Sequence, residues 1–266
     1  MTITRPEVHP EMTTMMSQTI AQYDALWQSI ATRRRWVDVP QGLDGMAGRW
    51  LMRLGHARQN LSRFHRLAKQ VDARDREYAA LSDTQLDQRT VGCRETFMRR
   101  RDDEKCLVEA LAALREVAWR QVGQKPFYVQ LVGALAMYHG QIMEMKTGEG
   151  KTLTATLPAT LLAWSRPHVH IVTANDYLAG RDATAMVPIY RRAGVGCGCV
   201  LPAHSTSQRV AEYRKSIVYT TQKELVGDWL RDQIRCGGLR DAVTQRLASP
   251  EVESSSSRVL IPGLHA

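Results

Sequence analysis

Long apolar runs are missing from this sequence. The longest nearly apolar stretch, residues 129–138, already contains Gln130 and falls well short of the roughly 20 residues that cross a bilayer. Residues 1–16 lack the apolar centre of a secretory leader, so a soluble or peripheral protein without its own anchor is expected. Cysteines are few, at 93, 106, 197, 199 and 236, and form neither Cys-x-x-Cys nor a regular framework. That spacing excludes a disulfide scaffold and fits a reducing compartment. Cys197-Gly198-Cys199 has no second Cys or His pair to complete a zinc tetrad, so two small residues alternating on a buried strand are expected instead. The eight histidines make no His-x-x-x-His metal motif, and His168 and His170 should share one strand face. Aromatics amount to 6% and do not alternate with basic residues, as a stacking platform for single-stranded nucleic acid requires.

Acidic residues are the minority, 27 against 36 Lys and Arg, for a net charge of +9. Residues 1–125 hold 21 basic and 16 acidic side chains; residues 126–266 hold 15 and 11. A positive balance favours anionic partners such as lipid headgroups, nucleotides or nucleic acid without choosing among them, and a solvated basic surface is the default. With 44% hydrophobic and 24% charged residues, a packed core is expected and wholesale disorder is not.

Residues 1–125 read as helical. Ile20, Tyr23, Leu26, Trp27 and Ile30 fall at helical spacing within residues 17–35, which Arg33, Arg34 and Arg35 close. That apolar face with a basic end suits an anionic lipid surface or packing on the next helix. After Pro40 and Gly42, Trp50, Leu54, Ala57, Leu61, Phe64, Leu67 and Val71 form one stripe. Ser82 suits a helix start, and the helix marked by Leu107, Ala110, Leu111, Leu114, Val117 and Ala118 should end before Gly123. From about Pro126 strands and helices alternate. Strands are expected at 141–145, 169–174, 195–201 and 216–221, with helices at 152–163, 176–192, 205–214 and 222–234. Pro158 should kink the first of these helices. Such alternation argues a parallel sheet with helices on both faces. The fold class expected is therefore α/β, an incomplete phosphate-loop sheet over 126–266 preceded by a helical region over 1–125.

Chemistry concentrates in Gly148-Glu149-Gly150-Lys151-Thr152, between a predicted strand and a predicted helix. Glycines let the backbone curl so that N–H groups point at phosphate, and the helix adds the positive end of its dipole. Lys151 would reach the terminal phosphates, and the Thr152 hydroxyl would hold Mg²⁺. The strict pattern wants Gly five residues before Gly150, where Met145 stands. By pattern alone two readings stand: a phosphate loop, or a glycine turn ending in a surface lysine. The strand-to-helix junction favours the first.

Residues 143–159, from Met143-Glu144-Met145-Lys146-Thr147 through Pro158-Ala159, resemble the nucleotide loop and following helix of the SecA protein-translocating ATPases, including the non-glycine first position and the proline. Val169-His170-Ile171-Val172-Thr173-Ala174-Asn175-Asp176-Tyr177-Leu178-Ala179 with Arg181-Asp182 is similar to that family's next motif. Tyr219-Thr220-Thr221 and Asp228-Trp229-Leu230-Arg231-Asp232 resemble its Tyr-x-Thr and Asp-Tyr-Leu-Arg-Asp elements, and Leu81-Ser82-Asp83 an early helical segment. Tyr128-Val129-Gln130-Leu131-Val132-Gly133 is similar to the stretch whose Gln contacts adenine in the family. The resemblance covers roughly residues 60–235. It implies ATP and Mg²⁺ as cofactors, with Gln130, Gly148, Glu149, Gly150, Lys151 and Thr152 at the nucleotide and Thr152 at the metal. A carboxamide offers an acceptor and donors together, matching the edge of adenine; read alone, Gln130 is equally an exposed helix residue. Asp176 doubles as a helix cap, and Arg181 as either a coupling residue or a surface arginine.

The resemblance further implies ATP hydrolysis coupled to preprotein movement through a SecYEG-type channel, in the cytoplasm or on the cytoplasmic face of the inner membrane. No nucleic-acid partner is expected. In the family, an apolar run with Asp-Glu-x-Asp supplies the Mg²⁺- and water-directing carboxylates shortly after a segment resembling Ile261-Pro262-Gly263-Leu264-His265-Ala266. The sequence stops there, so no catalytic residue is assigned and unaided hydrolysis is not expected. Two alternatives stay open: a helicase-like nucleic-acid ATPase, and a non-catalytic remnant of an interrupted translocase gene.

Overall fold

A computed structural model describes residues 61–99, 103–166, 168–235 and 261. The expected helix over 17–35, the stripe ahead of residue 61, Cys236 and the serine-rich tail lie outside the described residues.

Helix α1 (Leu61–Ala73) buries Phe64, Leu67, Ala68 and Val71, the spacing read from the sequence, while Leu61 at its first turn is exposed. A short α2 (Asp75–Ala79) follows. Ser82 then starts α3 (Asp83–Met98) with a full capping box, its hydroxyl accepting from the Gln85 N–H while the Gln85 side chain accepts from the Ser82 N–H. This reciprocal pairing satisfies two of the donors that every helix start leaves free. Asp103 caps α4 (Glu104–Val122), and Gly123 ends it at φ 67, a left-handed turn that suits a residue without Cβ. Helix α5 (Tyr128–Tyr138) and helix α6 (Lys151–Ser165) come next. α6 runs unbroken through the buried Pro158.

Three parallel strands follow: β1 (Val169–Thr173), β2 (Cys197–Cys199) and β3 (Ile217–Thr221), in the order β1-β3-β2. They alternate with α7 (Asp176–Arg192), α8 (Thr206–Tyr213) and α9 (Gln222–Arg235). β3 is buried at every residue, as a central parallel strand covered on both faces must be. Successive side chains point to opposite faces. Ile217 and Tyr219 accordingly join the large core with α6 and α7, and Val218 joins Val200, Tyr213 and Ile261 on the other side, backed by Leu225 and Trp229 of α9. The result is an α/β fold with helices on both faces, entered through helices α1–α4. One buried cluster runs from Phe64 and Leu67 through Leu111 and Leu131 to Leu157 and Ile217.

Two strand expectations change. Residues 141–145 form no strand: no described strand pairs with them, and Ile142 is fully exposed. An apolar run becomes a strand only where a neighbour completes its ladder. Strand 195–201 shrinks to Cys197–Cys199 because β2 lies at the sheet edge, where the Cys199 N–H bonds the Glu212 carboxylate instead. Gly198 is buried and the two cysteines are half-buried. Burial pushes the Cys197 thiol up to about 12 and that of Cys199 up to about 11. Among the described residues, no His, Cys, Asp and Glu group is arranged to hold a metal ion. No described helix is long and apolar enough to cross a membrane.

Behind β3, a buried polar network joins α8 to α9. Arg209 reaches Asp228 at 2.8 Å and Glu224 at 2.6 Å, and Tyr213 donates to Asp228 at 3.0 Å. One helical turn on, the fully buried Asp232 accepts from the Ile261 N–H at 2.8 Å.

Candidate functional site

The Thr147–Gly150 turn feeds directly into α6. Gly148 and Gly150 sit at φ 88 and 77, values that residues with a Cβ seldom adopt. A Cβ at Gly150 would also collide with the Gln130 carboxamide nitrogen. Gly150 offers α6 no side-chain cap, so the first helical N–H groups are left for an outside acceptor, where the dipole also favours negative charge.

The loop holds itself in shape. The Glu149 carboxylate accepts from the Lys146 N–H at 2.9 Å, and Lys151 Nζ donates to the Lys146 carbonyl at 2.7 Å. Thr152 Oγ1 donates to Asp182 Oδ2 on α7 at 3.1 Å. Gln130, expected as an exposed helix position or an adenine contact, is buried. Its Oε1 accepts from the Phe127 N–H at 2.8 Å and its Nε2 donates to the Glu149 carbonyl at 2.7 Å. The same side chain thus closes the start of α5 and braces the Thr147–Gly150 turn. Beside it opens a cavity of about 720 Å³, walled by Trp119, Phe127, Val129 and Leu153 and floored by Gly148 and Gly150. Trp119, Phe127 and Val129 are substantially exposed. This partly apolar lining, with Lys125 in it, beside the uncapped start of α6 suits a ligand with a flat ring at one end and anionic oxygens at the other.

All six sequence-derived residues, Gln130 and Gly148 through Thr152, therefore meet at one place. The glycine cradle, the free helix start and the Lys–Thr pair fit a nucleotide phosphate chain with its divalent cation. Asp176 does not cap α7; Asn175 does, accepting from the Leu178 N–H at 2.8 Å, because the cap must sit in extended geometry just outside the helix. Asp228 and Asp232 lie in the α8–α9 network, away from this loop. Sequence reasoning gave no role to Asp182, since its contact with Thr152 spans 30 positions that no local pattern encodes. Under β3's face, Tyr219 and Tyr190 share a hydrogen bond of 2.9 Å, and burial pushes both phenols up.

The SecA DEAD-like domain profile matches residues 51–249. The chain is similar to protein translocase subunit SecA 2 of Magnetococcus marinus, 39% identical over 236 residues, covering 85% of this chain and 36% of that protein. It is also similar to protein translocase subunit SecA of Anaplasma marginale, 42% identical over 183 residues (69% of this chain, 21% of that protein). SecA 1 of Corynebacterium glutamicum is 40% identical over 184 residues, 69% of this chain and 22% of that protein. The chain spans roughly a third or less of the length of these relatives.

Proposed function

This chain belongs to the SecA DEAD-like family, and from that premise we propose that residues 126–235 bind ATP as part of a preprotein-translocating motor. The observation that carries this reading is the left-handed Gly148–Gly150 turn, opening onto the uncapped start of α6 beside an apolar cavity. Lys151 would leave the Lys146 carbonyl for the terminal phosphates, and Thr152 would offer its hydroxyl oxygen to Mg²⁺. The cation, when bound, neutralises phosphate charge. Gly148 and Gly150 keep backbone N–H groups open to the phosphates, and Glu149 holds the turn by its bond to the Lys146 N–H. The helical portion ahead of residue 126 supplies the other half of the core. The translocation channel and preproteins are the proposed partners. An anionic membrane surface on the cytoplasmic side is the proposed site of action.

Gln130 gives the pocket its base selectivity in this reading. Each of its amide groups makes one backbone bond, which leaves one N–H and one lone pair with which to read adenine. Adenine would therefore be read with the bond to the Glu149 carbonyl kept.

Calorimetric titration of Mg-ADP tests the site. Hydrogen bonds to charged groups contribute about 1.5–3 kcal/mol, so Lys151→Ala is expected to weaken binding by roughly ten- to a hundredfold. Equal affinity in the two proteins removes the assignment. Gln130→Ala is expected to erase the preference for ADP over GDP and to lower stability by about 1–3 kcal/mol through two lost bonds. An unchanged base preference takes Gln130 out of the pocket.

A further inference from the structure

Helix α6 carries threonines at 152, 154, 156 and 160. Three of them turn their hydroxyls back along their own helix. Thr154 donates to the Gly150 carbonyl, Thr156 to that of Thr152 and Thr160 to that of Thr156. This is the usual local solution for a threonine in a helix. Thr152, in the first turn, breaks the pattern and donates across to Asp182 Oδ2 of α7 at 3.1 Å. The other oxygen of that carboxylate is held separately: Arg181 Nε and Nη2 donate to Oδ1 at 2.8 and 2.6 Å. Arg181 in turn lies 6.0 Å over the Tyr177 ring. The Asp182 side chain is only 14% exposed, against 51% for Arg181, so the carboxylate is fixed from both sides in a largely closed position.

A threonine hydroxyl has one proton and two lone pairs. With the proton given to Asp182, Thr152 has only lone pairs left to offer an outside partner, which is what a hard divalent cation takes. A charged acceptor also enriches the oxygen that donates, as the outer partners of metal ligands do.

The geometry points to Asp182 as a positioning residue for the cation of the nucleotide, acting through Thr152 and itself pinned by Arg181. This assignment rests on the nucleotide reading of the loop. It also gives Arg181-Asp182 a division of labour: the aspartate orients, and the arginine keeps it from swinging away.

The measured quantity is the Mg²⁺ gain, the ratio of ADP dissociation constants in EDTA and in excess Mg²⁺, taken by calorimetry on the full 266-residue chain. Asp182→Ala is expected to cut that gain by about tenfold, leaving the affinity in EDTA unchanged. A residue that merely ties α7 to α6 would lower both affinities together. Asp182→Asn keeps an acceptor oxygen and is expected to restore most of the gain. Adding Asp182→Ala to Thr152→Val should cost nothing more, since Asp182 acts only through the hydroxyl already removed. A full gain in Asp182→Ala, or a drop in the double variant below Thr152→Val alone, overturns the assignment while leaving the loop's nucleotide role intact. Equal binding by wild type and Lys151→Ala overturns both. Should Asp182→Ala fail to fold, Arg181→Ala decides: a loss of about threefold in the gain is expected from a half-exposed ion pair, and an unchanged gain overturns the assignment.

Discussion

Arg209→Ala is expected to destabilise the fold by about 3–5 kcal/mol, the cost of leaving a buried charge without its partner. Arg209 is 7% exposed and Asp228 not at all. The guanidinium serves Asp228 and Glu224 as ion pairs and also bonds the carbonyls of Leu201, Pro202 and His204. Its removal strands those carbonyls and leaves Asp228 with Tyr213 and Arg231 alone. Small domains hold on by about 5–15 kcal/mol in total, so the variant should unfold at markedly lower urea, followed by far-ultraviolet circular dichroism. A loss below about 1 kcal/mol, the level of an exposed pair, would mean that the network is solvated. The double variant Arg209→Met, Asp228→Leu should recover part of the loss, because it removes the Asp228 charge and leaves only that of Glu224 without Arg209.

Gly150→Val is expected to weaken Mg-ADP binding by about a hundredfold. An L residue held in the left-handed region costs about 1–2 kcal/mol, and β-branching makes the position worse. The new Cβ would also strike Gln130 Nε2, whose bond to the Glu149 carbonyl must then break; a hydrogen bond contributes about 1 kcal/mol net. Together these give about 2–3 kcal/mol, or roughly 30- to 150-fold in affinity. Gly148→Ala is the internal control. Its φ is 88, yet a Cβ there meets nothing within 4 Å, so only the conformational cost applies, about tenfold. Calorimetry that ranks the two variants the other way would show that the Gln130 brace does not shape the loop.

Local grammar explains which parts of this fold were legible in advance. Ser82, Gly123 and the Gly148–Thr152 turn announce themselves within five residues, because caps and turns are made by neighbours in sequence. The alternation that produces β1, β3 and their helices is legible for the same reason. The strand expected at 141–145 does not form because pairing is decided by another segment, and composition does not say whether that neighbour is there. The burial of Gln130 was not legible: nothing in Tyr128-Val129-Gln130 reveals that its amide closes on Glu149, 19 positions away. Arg209 gave no signal at all. An arginine on a short amphipathic helix reads as solvent-facing until Asp228 is found opposite.

The bond from Asp232 to Ile261 joins two positions 29 apart in sequence. Bringing two distant points of a chain together costs entropy that grows only with the logarithm of their separation, about 0.6 kcal/mol for each doubling. The contact is therefore decided by what its two ends bury. Asp232 is fully buried, and Ile261 fills the pocket formed with Val200, Tyr213 and Val218. Substitution is therefore expected to be costly at both of these positions, whatever the length of chain between them.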